Sequence, residues 1–329
     1  QVGAIGYIFN IFLGIPQFYG ILIGCSIVII YSAVGGMRAV VFTDIVQFII
    51  LAVGIPVTLI IGIHYAGGWS AVQSAVPASH LTFLGTQKTL LQFIVLFLSF
   101  MLGETLVPPY VQRLFLSEHP THTAKATLWS GLFSIPFFAV TGIIGLVALA
   151  IKPDLDPNLS MPFLINTVLP VGLKGIVVAS TISIVMSSAD SFLNAASVAF
   201  THDVLQPVKK DIMTEKQLLI SVRLITLFVG ILAVVVAIKI KSILDILLYS
   251  YNFWSPIILV PLVTAILGMK TNRKQFIFGG ISGILSVFTW NILLHNPAGI
   301  DGLIIGILGN FIVFMFVYQL DKKNRVAIQ

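Results

Sequence analysis

Between Ala179 and Thr201 the chain reads ASTISIVMSSADSFLNAASVAFT, apolar enough for a membrane yet polar along its whole length. On a helical wheel Ser180, Ser183, Ser187, Asp190/Ser191, Asn194 and Ser197 recur at steps of three or four and form one stripe. The opposite side is Ile, Val, Phe, Leu and Ala. A carboxylate near the middle of a membrane helix costs roughly 2.5–3.5 kcal/mol on insertion scales, so Asp190 is expected to face protein, water or an ion. Hydroxyls ending in an acid suit a small hard cation that takes oxygen ligands. Serines bonded to their own i−4 carbonyls and packed against a neighbouring helix explain most single positions equally well, but not Asp190.

Asp44 lies near the start of another apolar run, with Gln47 one turn on. It reads either as a ligand reaching the serine stripe or as an interfacial acid paired with Arg38. Two stretches look like interrupted helices, where unwound backbone exposes dipoles and carbonyls. The first is Gly103-Glu104-Thr105-Leu106-Val107-Pro108-Pro109-Tyr110, whose double proline removes two donors. The second is Tyr249-Ser250-Tyr251-Asn252-Phe253-Trp254-Ser255-Pro256, whose aromatic and amide groups can bound a small organic molecule. Either also fits a simple proline kink or span end. Glu104, Tyr110, Tyr251, Asn252 and Trp254 are the candidate solute-binding or gating residues.

The elements that position these groups are membrane helices. Hydrophobic residues make up 57% of 329 and charged residues 9%, with a mean hydropathy of +1.04. That composition excludes a soluble globular domain and predicts an all-α polytopic membrane protein forming a single transmembrane domain over 1–329. A hydrocarbon core about 30 Å thick needs about 20 apolar residues per helix. A partial segment falls at 2–14, with spans near 20–34, 39–63, 89–107, 128–151, 171–200, 218–238, 243–268, 276–294 and 302–319. At 1.5 Å per residue, Asp44 lies roughly 8 Å above the inner end of its span, and Ser191 and Ser187 on the order of 13 and 20 Å above theirs. Asp44 is thus expected to meet the lower part of the stripe.

The net charge of +6 reads as a topology signal, not as a nucleic-acid footprint. Alternate loops with the C-terminal tail hold twelve basic residues, whereas the others hold only Lys88, Lys152, Lys174, Lys239 and Lys241. This puts the Gly35-Gly36-Met37-Arg38 turn, the 201–217 loop and the C-terminus in the cytoplasm of a multi-pass protein of the plasma or inner membrane. The loops at 64–88 and 152–170 are expected outside. The single cysteine, Cys25, rules out an internal disulfide, and the six histidines form no metal-ligand spacing. GxxxG spacings at Gly20/Gly24 and Gly302/Gly306 read as close helix packing, with a monomer or weak homo-oligomer expected. No phosphate-binding loop and no Ser/His/Asp arrangement is present, which disfavours ATP-driven transport and hydrolysis and predicts no enzyme and no organic cofactor.

Three stretches resemble the sodium:solute symporter family. Tyr31 through Gln47, with Gly35, Gly36, Thr43 and Asp44, is similar to its tyrosine, double-glycine and T-D-x-x-Q signature. Met186 to Asn194, followed by Thr201-His202-Asp203, resembles its sodium-binding helix, and Pro109 to Arg113 its P-x-x-Q-R region. The resemblance implies a LeuT-like bundle of inverted five-helix repeats. It implies a sodium site with the hydroxyls of Ser187 and Ser188 and the carbonyl of Ile184. It also implies a possible second sodium site with Asp44, Ser187 and Ser191, in which Asp190 replaces a serine. The start at Gln1, without a charged leader, reads as an N-terminally truncated piece lacking the family's first two core helices.

The function so implied is sodium-coupled symport of a small organic solute into the cell by alternating access, with Na⁺, the solute and the lipid bilayer as partners. A transporter-like sensor domain of a signalling protein and a non-functional fragment are the alternative readings.

Overall fold

In a computed structural model the chain is described over residues 1–34, 37–82, 89–104, 107–114, 117–209, 213–240 and 242–327, without the side chains of 33, 34, 37–43, 112, 113 and 322–327. Gly35, Gly36, Thr105 and Leu106, and the side chains of Arg38, Thr43, Gln112 and Arg113, therefore lie outside the described residues.

Helices run the length of the chain. They are α1 (Val2–Leu13), α2 (Gln17–Val34), α3 (Met37–Tyr65), α4 (Trp69–Ala75), α5 (Ala78–Leu81), α6 (Leu90–Glu104), α7 (Pro108–Leu114) and α8 (Pro120–Ile151). There follow α9 (Ser160–Val168), α10 (Val171–Ala199), α11 (Gln206–Lys209), α12 (Glu215–Lys239), α13 (Ile243–Ile266), α14 (Arg273–Phe288) and α15 (Leu303–Ala327). Among the described residues seven stretches are long and apolar enough to cross a membrane, and α1 with α2 makes a further pair bent by 117°. α6, with 15 described residues, is a shorter apolar helix, and the expected span at 89–107 runs on into Thr105 and Leu106, outside the described residues. Conversely, α10 runs through a π-helical turn at Phe200–Leu205 into α11, so Val171–Lys209 is one 39-residue rod.

Local chemistry sets several boundaries. Gly14 closes α1 at φ 66°, in the left-handed region glycine enters without a Cβ clash, and its N–H caps the Asn10 carbonyl. Thr214 and Gln217 form a capping box at the start of α12, and Asn272 and Gln275 another at α14.

The chain divides into two compact units. Unit 1 is Gln1–Leu81 with Pro108–Ile243. In it α10 carries an apolar cluster on each flank: Val177 joins Leu51, Ile55, Ile144 and Leu164, while Ala189 and Leu193 join Ile5, Ile8, Phe9 and Val28. α1 and α2 press together because a Cβ at Gly20 would lie 3.0 Å from Phe9 Cβ, and one at Gly24 would strike Ile5. The Gly20/Gly24 spacing thus serves packing within the chain. Cys25 is buried, its thiol toward the Gly230 carbonyl of α12 at 3.8 Å.

Unit 2 is Thr82–Val107 with Leu244–Gln329. α14 and α15 are its tightest pair, with Ser282 Oγ donating to the Gly309 carbonyl at 3.0 Å and Gly306 against Val287 and Pro256. At one end of the pair Asp321 accepts from Asn272 Nδ2 at 2.6 Å and Gln275 Nε2 at 2.7 Å.

One expectation is corrected here. The Tyr249–Pro256 stretch is not an interrupted helix: α13 continues through Pro256 and Pro261. A proline at 261 has no N–H for the Ile257 carbonyl, four residues back. Asn310 Nδ2 on α15 supplies a donor instead, 3.2 Å from the Ile257 carbonyl and 2.6 Å from that of Pro256. By contrast the double proline does separate two helices, α6 ending at Glu104 and α7 starting at Pro108.

Candidate functional site

The polar stripe of α10 faces inward where the chemistry was expected. Ser180, Ser187, Asp190 and Ser197 are all buried, and Asp190 is only 7% exposed. Helix α3 packs along α10 and brings Asp44 to it. Ser187 Oγ donates to Asp44 Oδ1 at 2.5 Å. The pairing lies one turn farther up the stripe than its lower part, in keeping with an α3 that begins at Met37, before the expected start of the span. Asp190 sits within electrostatic reach of Asp44, and Ser32 Oγ from α2 lies beside it without closing a hydrogen bond of normal geometry. Three helices thus converge on two acids and two hydroxyls. Gln47, one turn beyond Asp44, also holds a buried Oε1 without a hydrogen-bond partner among the described residues.

Ser188 points another way, its Oγ donating to the Ile184 carbonyl at 2.9 Å. A donating hydroxyl keeps its lone pairs, and a carbonyl has a second one, so these two oxygens can still face a common cation. Ser188 and Ile184 form one oxygen pair; Ser187, Asp44 and Asp190 form a neighbouring group. Ser191 is half-buried on the same helix.

Lower on α10 the hydroxyls serve packing. Thr226 Oγ1 of α12 donates to Ser197 Oγ at 2.9 Å, and Ser197 and Thr201 bond to carbonyls four residues back. For Ser197 the simple packing explanation holds.

In unit 2 the structure supplies the partner of Glu104 that the sequence left open: the Tyr251 hydroxyl donates to its carboxylate. Tyr251 and Asn252 are buried on α13, Trp254 is half-buried, and Ser255 Oγ donates to the Leu102 carbonyl at 2.9 Å. Gly103 allows this approach, since a Cβ there would run into the Tyr251 ring. Tyr110 belongs to unit 1 and is 43% exposed. Asp301, which sequence reasoning missed, accepts from Asn252 Nδ2 at 2.9 Å. Its only signal was an acid at the mouth of an apolar run.

A family model described as the sodium:solute symporter family matches residues 1–283. The human sodium/myo-inositol cotransporter is 23% identical over 328 residues, covering 83% of this chain and 45% of that protein. The sodium/sialic acid symporter NanT of Aliivibrio fischeri is 29% identical over 224 residues, covering 63% of this chain and 44% of that protein. The chain thus spans a little under half the length of these relatives. A solved structure of a Na⁺-coupled sialic acid symporter, substrate-bound and outward-open, superposes with a TM-score of 0.75 at 21% identity, over 97% of this chain and 71% of that one. The fold is therefore the all-α, LeuT-like helix bundle that the motifs implied, and these matches are to transporters, not enzymes.

Proposed function

Since the chain belongs to the sodium:solute symporter family, we propose that it takes part in sodium-coupled uptake of a small organic solute by alternating access. The observation that carries this reading is the meeting of half-buried Asp44 on α3 with buried Ser187 and Asp190 on α10. Acids and hydroxyls converging inside a helix bundle hold a cation in place of its hydration shell, whereas the same groups facing lipid would be costly. Ser187 and Ser188 with the Ile184 carbonyl supply one sodium site. Asp44, Asp190 and Ser191 supply a second, in which the extra acid strengthens cation binding.

Coupling through these ions is energetically adequate. One Na⁺ entering at about −100 mV gains roughly 2.3 kcal/mol, and a tenfold gradient adds about 1.4. Together, ~3.7 kcal/mol sustains a few-hundred-fold solute gradient.

In unit 2, Glu104, Tyr251, Asn252 and Trp254 are the proposed solute-binding residues, and in unit 1 Tyr110 is proposed by itself as a gating residue. The relatives named above carry myo-inositol or sialic acid, so a small polar organic solute is the natural class. The test is uptake of radiolabelled myo-inositol and sialic acid into proteoliposomes of the full-length protein, with and without an inward sodium gradient. Accumulation that requires sodium is the expected result. Uptake indifferent to sodium refutes the reading.

A further inference from the structure

Unit 2 holds a polar pair that sodium coupling does not use. Asn252 on α13 is 7% exposed, and its Nδ2 donates to Asp301 Oδ2 at 2.9 Å. A carboxylate only accepts, so Asp301 decides which way the amide lies: nitrogen toward the acid, carbonyl oxygen away from it. Asp301 is itself fixed, because its other oxygen accepts from the Leu303 N–H at 3.0 Å, at the first turn of α15. Among the described residues Asn252 Oδ1 is left buried without a hydrogen-bond partner. Such an acceptor is a standing demand for a donor.

The neighbourhood favours one kind of donor. One residue back, the Tyr251 hydroxyl spends its hydrogen on the Glu104 carboxylate and not on Asn252 Oδ1. Two acids, Glu104 and Asp301, flank this turn of α13. Of the basic side chains described in unit 2, Lys270, Arg273 and Lys274 lie beyond the far end of α13, about 20 Å along the helix from Asn252, and His295, in the connection before Asp301, is exposed. A solute carboxylate arriving here meets acceptors and like charge, whereas a hydroxyl or ammonium meets acceptors it can satisfy.

We propose that Asn252 binds the solute as a hydrogen-bond acceptor, that Asp301 is the positioning residue that turns its carbonyl toward the solute, and that the solute is a neutral polyol or an amine, not an acid. This rests on the transport reading above and narrows it.

The experiment records solute-evoked currents from proteoliposomes of the full-length protein under a sodium gradient. The probes are myo-inositol and its hexa-O-methyl ether, ethanolamine and its fully methylated counterpart, and gluconate. Current is expected with the polyol or the amine, at least tenfold weaker after methylation, and absent with gluconate. Asp301→Asn, which lets the Asn252 amide lie either way, is expected to raise the half-saturating concentration of the accepted probe about tenfold without moving the sodium half-saturation. Asp301→Glu is expected to restore part of it. Current with gluconate alone, current with none of the donors, or methylated probes as effective as their parents overturns the proposal. So does an Asp301→Asn variant whose maximal current falls for every probe with half-saturation unmoved. Solute transport that ignores sodium defeats the symport reading instead, so the two failures are distinguishable.

Discussion

At the scale of single residues, the contact between Ser187 and Asp44 and the burial of Asp190 make the sodium dependence a sharp readout. Asp190→Asn keeps the shape of the side chain and removes its charge. The expected outcome is a several-fold rise in the sodium concentration giving half-maximal uptake; an unchanged titration removes Asp190 from the site. Ser187→Ala deletes a hydroxyl on a carboxylate, an interaction worth about 1.5–3 kcal/mol, and about a tenfold rise in the same quantity is expected. Much of this group was legible in the sequence, since the helical period aligns Ser187 and Asp190 and the depth of Asp44 brings it near them. The Asn252–Asp301 pair was not, because nothing local says which of many amides an acid 49 residues away will hold.

At the scale of elements, hydropathy located the apolar helices, while proline misled at α13. The rule that a proline breaks a helix assumes that the freed carbonyl goes unanswered, and here Asn310 answers it from α15. Asn310→Leu is therefore expected to destabilise the protein by about 1–3 kcal/mol, as the Ile257 carbonyl loses its donor inside a dry bundle. Thermal unfolding in detergent measures this. A transition as high as that of the unaltered protein would mean that water or a relaxed backbone takes over the task. The close pairing of α1 and α2 gives a matched case: Gly24→Leu forces a side chain into Ile5, and a loss of about 1–3 kcal/mol is expected from overpacking.

At the scale of the whole molecule, alternation of basic loops predicts sidedness, which an impermeant thiol reagent checks. Cys25 is buried, so introduced cysteines report with little background. Ser79→Cys is expected to label in intact cells and Lys216→Cys only after the membrane is opened; the reverse pattern would invert the topology. The 39-residue rod from Val171 to Lys209 adds a consequence of its own. Fully helical, it measures about 58 Å, nearly twice the thickness of the oily layer it crosses. Tilt absorbs only part of that excess, so the turn around His202 and Asp203 protrudes into water. The helix that carries the proposed sodium ligands therefore also carries a wetted handle, and whatever grips that handle has mechanical access to the proposed ion site.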